Sequence, residues 1–219
     1  MHNNFQNIPL EMRVFAQFVC WRYEDRESFK PTKVPYSPIT GRLAKVNDPE
    51  TWSTFDQAVN ICNSTDWYDG IGFVLTEQDP YTFIDLDDPY ALDGEGKPKF
   101  ENPAAIMQAQ IELFQNCNSY AERSPSGKGL HIICKGEVPS GRKRGAIEVY
   151  SNVRFMTMTG DVYRDAAIED CDLLVNQLWE RLGQGKSAAA LYAGLAEAKM
   201  SDDEVMQTAT TAANSEKFC

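Results

Sequence analysis

Short apolar runs alternate with longer amphipathic segments along most of this chain, and the two patterns predict different elements. Runs rich in aromatic and β-branched residues predict strands at 15–23, 71–76, 81–87, 119–123, 130–135, 146–150 and 154–159. Apolar positions spaced three or four apart predict helices at 53–62, 103–116 and 166–182. The mixture predicts an α+β fold.

Turn and capping residues set the limits of these elements. Asn102 followed by Pro103 predicts a helix start, and Ser53 with Asp56 predicts a weaker capping box. Residues 24–48 are polar and contain three prolines and Gly41, so we expect a loop. The short 77–80 connection predicts that the flanking strands form a hairpin.

The composition changes after Gly183, which predicts a boundary there. Residues 187–200 are rich in alanine, and Ser201 with Glu204 predicts another capping box. These helices have too little apolar surface for a core of their own. We therefore expect a main domain at 1–183 and a helical appendage, or the start of a helical domain, at 184–219.

Composition and charge narrow the class of protein. A chain of 219 residues with 42% hydrophobic residues is large enough to bury a core. The net charge of −11 argues against coating nucleic acid by bulk positive charge. No segment approaches the roughly 20 apolar residues of a membrane span, and the amino terminus lacks a signal-peptide pattern. We expect a soluble, intracellular (cytoplasmic) protein without a membrane partner.

The six cysteines are scattered and form no Cys-x-x-Cys pair. This pattern predicts reduced, buried thiols rather than a disulfide framework. Only two histidines, His2 and His131, are present, and no ligand spacing joins them to the cysteines. The spacing therefore does not predict a zinc site.

Two acids in the predicted strand 81–87 are the first candidate for chemistry. Residues two apart in a strand face the same side, so Asp85 and Asp87 project together. Paired carboxylates repel unless a cation lies between them, and hard oxygen ligands suit Mg²⁺ or Mn²⁺. The alternative is a strand end with solvated acids, because Asp-Asp-Pro is also a good turn.

A glycine-rich loop before the strand at 130–135 is the second candidate. Its backbone N–H groups and side chains are suited to an anion such as a triphosphate. It enters a strand rather than a helix, so it is not a Walker loop. A plain hairpin turn is the alternative. The residues concerned are Ser124, Ser126, Gly127, Lys128 and His131.

Glu148 is the third candidate, because it is an isolated acid in an apolar strand, where a charge is costly unless paired or bound to metal. Arg154 opens the next strand and is suited to a phosphate. A structural Glu148–Arg154 ion pair is the alternative. Together, the three features supply the parts of a metal-dependent nucleotidyl transfer: carboxylates for two divalent ions and donors for a triphosphate.

The order DLD, SPSGKGLH and EVYSNVRFMTMTG resembles the primase-polymerase domain of phage and plasmid replication proteins, in the archaeo-eukaryotic primase superfamily. The resemblance covers about residues 14–182. It implies an RNA-recognition-motif-like (RRM-like) antiparallel sheet packed with an amino-terminal α/β unit, with a cleft over the sheet. It also implies a protein encoded by a phage or plasmid in a bacterial host.

The resemblance also implies roles for individual residues. It implies that Asp85, Asp87 and Glu148 bind two divalent ions, either Mg²⁺ or Mn²⁺. It also implies a set of nucleotide-binding residues: Ser124, Ser126, Gly127, Lys128, His131, Arg154, Phe155 and Lys33. His131 is a catalytic residue as well, together with the three acids. The resemblance implies that Phe155 lies near the sugar of the bound nucleotide. Because phenylalanine has no hydroxyl for a hydrogen bond to that sugar, the preference between ribo- and deoxyribonucleotides stays open.

The implied partners are a single-stranded DNA template, a primer, nucleoside triphosphates and a replicative helicase. The segment 201–218 resembles the start of the helical region on which priming often depends, so nucleotide incorporation is better supported than de novo priming.

Other functions fit parts of the pattern. The same acids would serve a two-metal nuclease. A non-catalytic module would bind single-stranded DNA by stacking bases on Trp21, Tyr23 and Trp52, although aromatic residues of this kind usually pack in a core. A rolling-circle initiator needs a histidine pair that the chain body lacks, and a glycosyltransferase with a DxD motif leaves the SPSGKGLH segment without a role.

Overall fold

The computed structural model of the protein describes residues 4–25 and 31–184. The predicted appendage at 184–219 lies outside the described residues except for Gln184, so its boundary stays a prediction. The helices are α1 (Leu10–Arg13), α2 (Phe55–Asn63), α3 (Pro103–Asn116) and α4 (Asp172–Gly183). The strands are β1 (Phe18–Glu24), β2 (Thr32–Tyr36), β3 (Gly70–Leu75), β4 (Tyr81–Leu86), β5 (Ala121–Arg123), β6 (Leu130–Lys135), β7 (Arg142–Arg144), β8 (Ile147–Tyr150), β9 (Arg154–Met158) and β10 (Val162–Arg164).

The strands form two antiparallel sheets. Sheet A has the order β2-β1-β3-β9, and sheet B has the order β10-β5-β6-β4-β8-β7. Every pair of neighbouring strands in the two sheets is antiparallel. The predicted α+β class is confirmed.

Helices and the second sheet cover the two faces of sheet B. On one face, alternate residues such as Ile84 and Ile132 pack against α3 and α4. On the other face, Phe83 and Ile133 pack against Phe73 of sheet A, in a core shared with α1 and α2. Among the described residues, no helix combines the length and apolar character that a membrane span requires.

The two predicted helix starts differ in how well local signals locate them. Helix α3 begins at Pro103, and the Asn102 side chain accepts a hydrogen bond from the Ala105 N–H, as predicted. Helix α2 is capped by Thr54, which forms a reciprocal capping box with Gln57. The predicted cap, Ser53, is wrong by one residue, because its backbone instead pairs with Phe18 at 2.8 and 3.0 Å.

The predicted hairpin at 71–87 is wrong, because β3 lies in sheet A and β4 in sheet B. The connection turns the chain from one sheet to the other around the buried side chain of Asp79. Its carboxylate accepts hydrogen bonds from the N–H groups of Thr76 (2.8 Å) and Tyr81 (3.0 Å) and from the Gln17 amide (2.8 Å). These bonds stabilise a corner between sheets instead of a two-stranded turn.

Other element limits also differ from the predictions. The predicted loop 24–48 contains β2, which tolerates Pro35 because it is an edge strand. The last helix starts at Asp172 instead of 166, since Glu169 and Cys171 first form backbone hydrogen bonds with Lys135 at 2.8 Å. The three-residue strands β7 and β10 were not predicted from the sequence, because runs this short carry little pattern.

Candidate active site

A single row of polar side chains crosses five strands of sheet B. The strand register places each residue directly opposite the next. Directly opposed residues of antiparallel strands project from the same face, so the row forms one surface, on the face turned away from α3 and α4. From β5 to β7 its members are Glu122, His131, Asp85, Glu148 and Lys143.

The three predicted acidic residues meet at one end of this row. Asp85 lies opposite Glu148, and Asp87 follows two residues after Asp85, beyond the end of β4. The Lys143 ammonium joins two of them: it hydrogen-bonds Glu148 Oε1, and its Nζ lies 3.5 Å from Asp87 Oδ2. A cation therefore already lies between two carboxylates.

Glu148 has further partners on its other oxygen. The Tyr150 hydroxyl donates a 2.6 Å hydrogen bond to Oε2, and an Arg154 nitrogen lies 3.8 Å from the same atom. The Glu148–Arg154 pair considered from the sequence is thus present as a long contact, while Lys143 forms the closer one.

Burial and neighbouring charges shift the pKa values of the two opposed acids in opposite directions. Burial raises the pKa of Asp85 above its usual range, and the charges of Asp87 and Glu148 add to this effect, while His131 and Lys33 oppose it. Burial also acts to raise the pKa of Glu148. Hydrogen bonds from Lys143 and Tyr150, with the charges of Lys143 and Arg154, nevertheless hold that pKa below its usual range.

His131 lies between two carboxylates. Its Nε2 is 3.8 Å from Asp85 Oδ1, and its Nδ1 is 3.5 Å from Glu122 Oε1. The Nδ1 atom is buried and has no hydrogen-bond partner among the described residues. Glu122 is fully buried, and its carboxylate accepts hydrogen bonds from the Thr159 and Gly160 N–H groups, both at 2.9 Å. Two backbone hydrogen bonds therefore hold the carboxylate that lies beside the imidazole.

The row faces a cleft of about 750 Å³ between sheet B and segments of sheet A. Four predicted residues lie in its lining beside Asp85: Lys33, His131, Arg154 and Phe155. Burial lowers the pKa of Lys33, while the charges of the three acids oppose that shift and Arg154 adds to it. Cations and acids therefore share one cleft.

The predicted anion loop connects β5 to β6 as a hairpin, so the alternative of a hairpin turn describes its backbone. Ser124 and Ser126 hydroxyls lie 3.0 Å apart, and Gly127 adopts a positive φ of 71°. Gly129 lies against the Leu86 carbonyl, where a Cβ would approach within 2.5 Å, so the loop ends beside the end of β4. Ser126, Gly127 and Lys128 are exposed, and within 4–25 and 31–184 they are not part of the cleft lining.

Sequence reasoning did not find three residues of the site: Lys143, Glu122 and Tyr150. Each is a polar residue in a short strand. The available signal was alternation in Arg142-Lys143-Arg144, which turns Lys143 to the face opposite the two arginines.

The aromatic residues proposed for base stacking have structural partners. Trp21 is 1% exposed, and its indole N–H donates to the Ile71 carbonyl at 2.9 Å. Trp52 is 7% exposed and donates to the Lys45 carbonyl at 2.7 Å. These two tryptophans pack in the fold, and Tyr23 lies edge-on to Trp21 with ring centroids 5.1 Å apart.

The donor set fits hard divalent cations. Asp85, Asp87 and Glu148 offer carboxylate oxygens on one surface, and the ammonium of Lys143 lies where two of them converge. An ammonium between two carboxylates shows that this point favours positive charge.

Comparison with known proteins bears on this arrangement. No family model matches the chain. The chain is 37% identical over 171 residues to the DNA primase-polymerase of Nitratiruptor phage NrS-1. The match covers 74% of this chain and 21% of the phage protein, so the chain spans about a fifth of that relative's length. The protein is thus a homologue of a phage DNA primase-polymerase, which confirms the resemblance predicted from its motifs.

Proposed function

We propose that this protein is a DNA primase-polymerase that adds nucleotides to a 3′-hydroxyl under the direction of a template. The observation that carries the proposal is the opposed pair Asp85 and Glu148, with Asp87 beside them. Asp85 of this group lines a cleft together with His131 and two cations. Three convergent carboxylates with neighbouring cations form the donor set that nucleotidyl transfer requires. The name of the phage relative supports the same activity.

Metal ions are part of this proposal. Asp85, Asp87 and Glu148 would hold two divalent ions, Mg²⁺ or Mn²⁺. When bound, such ions align the attacking hydroxyl and stabilise charge on the leaving pyrophosphate. In their absence the single positive charge of Lys143 offsets part of the negative charge of Asp87 and Glu148, and the ammonium would have to leave these oxygens for the ions to bind there.

The remaining residues of the cleft would bind the nucleotide. Lys33 and Arg154 line the cleft and carry charge suited to a triphosphate. His131 is held between Asp85 and Glu122, where its imidazole can donate to a phosphate oxygen. Phe155 offers an apolar wall for the sugar, and the 124–128 loop extends the donors toward exposed phosphates beyond the cleft.

The finer fold assignment belongs to this proposal too. Sheet B, covered by α3 and α4 on one face and bearing the acids on the other, would be the RRM-like core of an archaeo-eukaryotic primase. Sheet A with α2 would be the amino-terminal α/β unit. The substrates would be single-stranded DNA template, primer and nucleoside triphosphates, while a helicase partner stays a prediction from the sequence.

Incorporation of labelled nucleotides on a single-stranded template tests the activity. Ribo- and deoxyribonucleotides are supplied with and without primer, in Mg²⁺ or in Mn²⁺. We expect incorporation by the wild type and a loss of at least about 10³-fold in the Asp85→Ala, Asp87→Ala double variant, because metal-binding carboxylates supply several kcal/mol of transition-state stabilisation.

The matched control replaces two exposed acids outside the cleft, Glu95→Ala with Glu101→Ala, and changes the net charge equally. Circular dichroism verifies that both double variants are folded. Full incorporation by the Asp85/Asp87 variant would contradict the proposal. Degradation of labelled DNA without nucleotide would identify a nuclease instead, and DNA binding without turnover in either metal would identify a binding module.

A further inference from the structure

Three cysteines that are far apart in the sequence converge on the helix side of sheet B. Cys117 follows the end of α3, Cys134 lies in β6 and Cys171 precedes the first residue of α4. Their Sγ atoms all lie within 4.8 Å of one another, and those of Cys117 and Cys171 are 3.3 Å apart. The chain spacing, 17 and 37 residues, gave no sign of this cluster.

These distances fit a metal ion held by sulfur. Zinc–sulfur bonds of about 2.3 Å in tetrahedral geometry place neighbouring sulfur atoms about 3.8 Å apart. One separation in the cluster is 3.3 Å and none exceeds 4.8 Å, so the three sulfur atoms lie within about 1 Å of the spacing that the ion requires. Three thiolates are soft ligands, which select zinc-like and other thiophilic ions over Mg²⁺.

The surroundings of Cys171 also favour a thiolate. Cys171 is the residue that precedes α4, where the amino-terminal end of a 12-residue helix stabilises negative charge. Cys117 and Cys134 are fully buried, while Cys171 is partly exposed and provides access from solvent. Among the described residues, the group contains no fourth histidine, cysteine or acid, so a water molecule would supply the fourth ligand.

We propose that Cys117, Cys134 and Cys171 form a binding site for one thiophilic metal ion of the zinc type, separate from the acidic cleft. Cys134 is three residues from His131 and therefore lies on the opposite face of β6. An ion at this point would connect α3, β6 and α4. It would lie on the face of β6 opposite the His131 side chain. Its role would be to stabilise the packing of both helices on sheet B.

Cobalt titration of the full chain tests the site. Reduced protein is stripped with a chelator, titrated with Co²⁺ under reductant and followed by sulfur-to-cobalt charge-transfer absorption. We expect one equivalent to bind, Zn²⁺ to displace it, and Zn²⁺ to raise the melting temperature. Cys171→Ser should weaken Co²⁺ binding at least tenfold and remove the thermal shift, while it keeps the fold because serine is a good residue before a helix.

Cys62→Ser is the matched control, because Cys62 is a buried cysteine of α2 outside the cluster, and it should bind as the wild type does. The proposal is overturned if the wild type shows no thiolate band, or if Cys171→Ser retains the band in full. A second readout uses the wild type alone: Zn²⁺ should protect Cys171 from iodoacetamide in peptide mass mapping. Alkylation at an unchanged rate, or a Cys117–Cys171 disulfide in place of metal binding, would also overturn it.

Discussion

Lys143 is a cation within the acidic site that was not predicted from the sequence. Its side chain is about half exposed, whereas the Glu148 side chain that it hydrogen-bonds is 6% exposed. The nitrogen also lies 3.5 Å from Asp87. Hydrogen bonding and the acids around it hold the pKa of Lys143 above its usual value, although burial acts in the other direction. An ammonium therefore occupies oxygens at which the proposed divalent ions would bind.

We expect Lys143→Met to bind Mn²⁺ more tightly than the wild type, by roughly threefold or more, because no ammonium has to leave the carboxylates. Without metal, the variant should lose about 1 kcal/mol of stability, since Glu148 loses its hydrogen-bonded cation and keeps Arg154 at 3.8 Å. Electron paramagnetic resonance of free Mn²⁺ measures the affinity, and urea denaturation in chelator measures the stability.

Lys135→Met is the matched control. Lys135, the last residue of β6, forms a 2.8 Å ion pair with Glu11, away from the acidic site. It removes the same charge from a half-exposed pair and should leave the Mn²⁺ affinity unchanged. Equal or weaker Mn²⁺ binding by Lys143→Met would show that the ammonium does not compete with the ion.

At the scale of elements, the corner between β3 and β4 joins the two sheets through a buried acid. Burial raises the pKa of Asp79, while hydrogen bonds from Gln17, Thr76 and Tyr81 offset part of that shift. A carboxyl group with a raised pKa in the folded state binds its proton more tightly there than in the unfolded chain. Its contribution to stability is therefore complete at low pH and is lost as the pH rises through the folded-state pKa.

Asp79→Asn isolates this effect, because it removes the titration while keeping a side chain of the same shape. We expect the difference in unfolding free energy, wild type minus variant, to fall as the pH rises toward neutrality from 3.8, the ordinary pKa of an aspartate. Urea denaturation of both proteins at several pH values measures it. A difference that stays constant or grows with pH would mean that ionisation of Asp79 does not destabilise the folded protein.

At the scale of the whole molecule, charge is segregated along the chain. Residues 66–101 hold ten acids and two bases, while residues 1–48 and 120–160 together carry a net charge of +6. The fold brings the two groups to one cleft, where Asp85 shares the lining with Lys33 and Arg154. The net charge of −11 therefore does not exclude the proposed binding of DNA.

We expect weak, salt-sensitive binding of single-stranded DNA that improves when Mg²⁺ and nucleotide are added, because divalent ions offset the acidic site. Three phosphate contacts predict a loss of affinity of about 20-fold between roughly 50 and 200 mM salt. Fluorescence anisotropy of a labelled oligonucleotide measures this dependence. Tight binding in high salt that ignores the metal would contradict the segregation of charge as the basis of affinity.

The sequence by itself determined the features that depend on neighbouring residues. Asn102 and Pro103 define the start of α3, because a cap and a proline act within one turn. The two-residue spacing of Asp85 and Asp87 predicts that they project together, although Asp87 lies one residue beyond the end of β4. The same local patterns located β6, β8 and β9 to within one residue. They also carried the resemblance that the phage relative confirms.

Only the tertiary structure decided which distant segments meet. Strand register, which depends on packing between segments up to tens of residues apart, aligned Glu122 and Lys143 with Asp85. The packing of α3 and α4 on sheet B brought three cysteines together. The corner at Asp79 assigned β3 and β4 to different sheets, although their sequence pattern is that of a hairpin. Local patterns report which side a residue faces, whereas the identity of its neighbour across the sheet is decided by the packing of the whole chain.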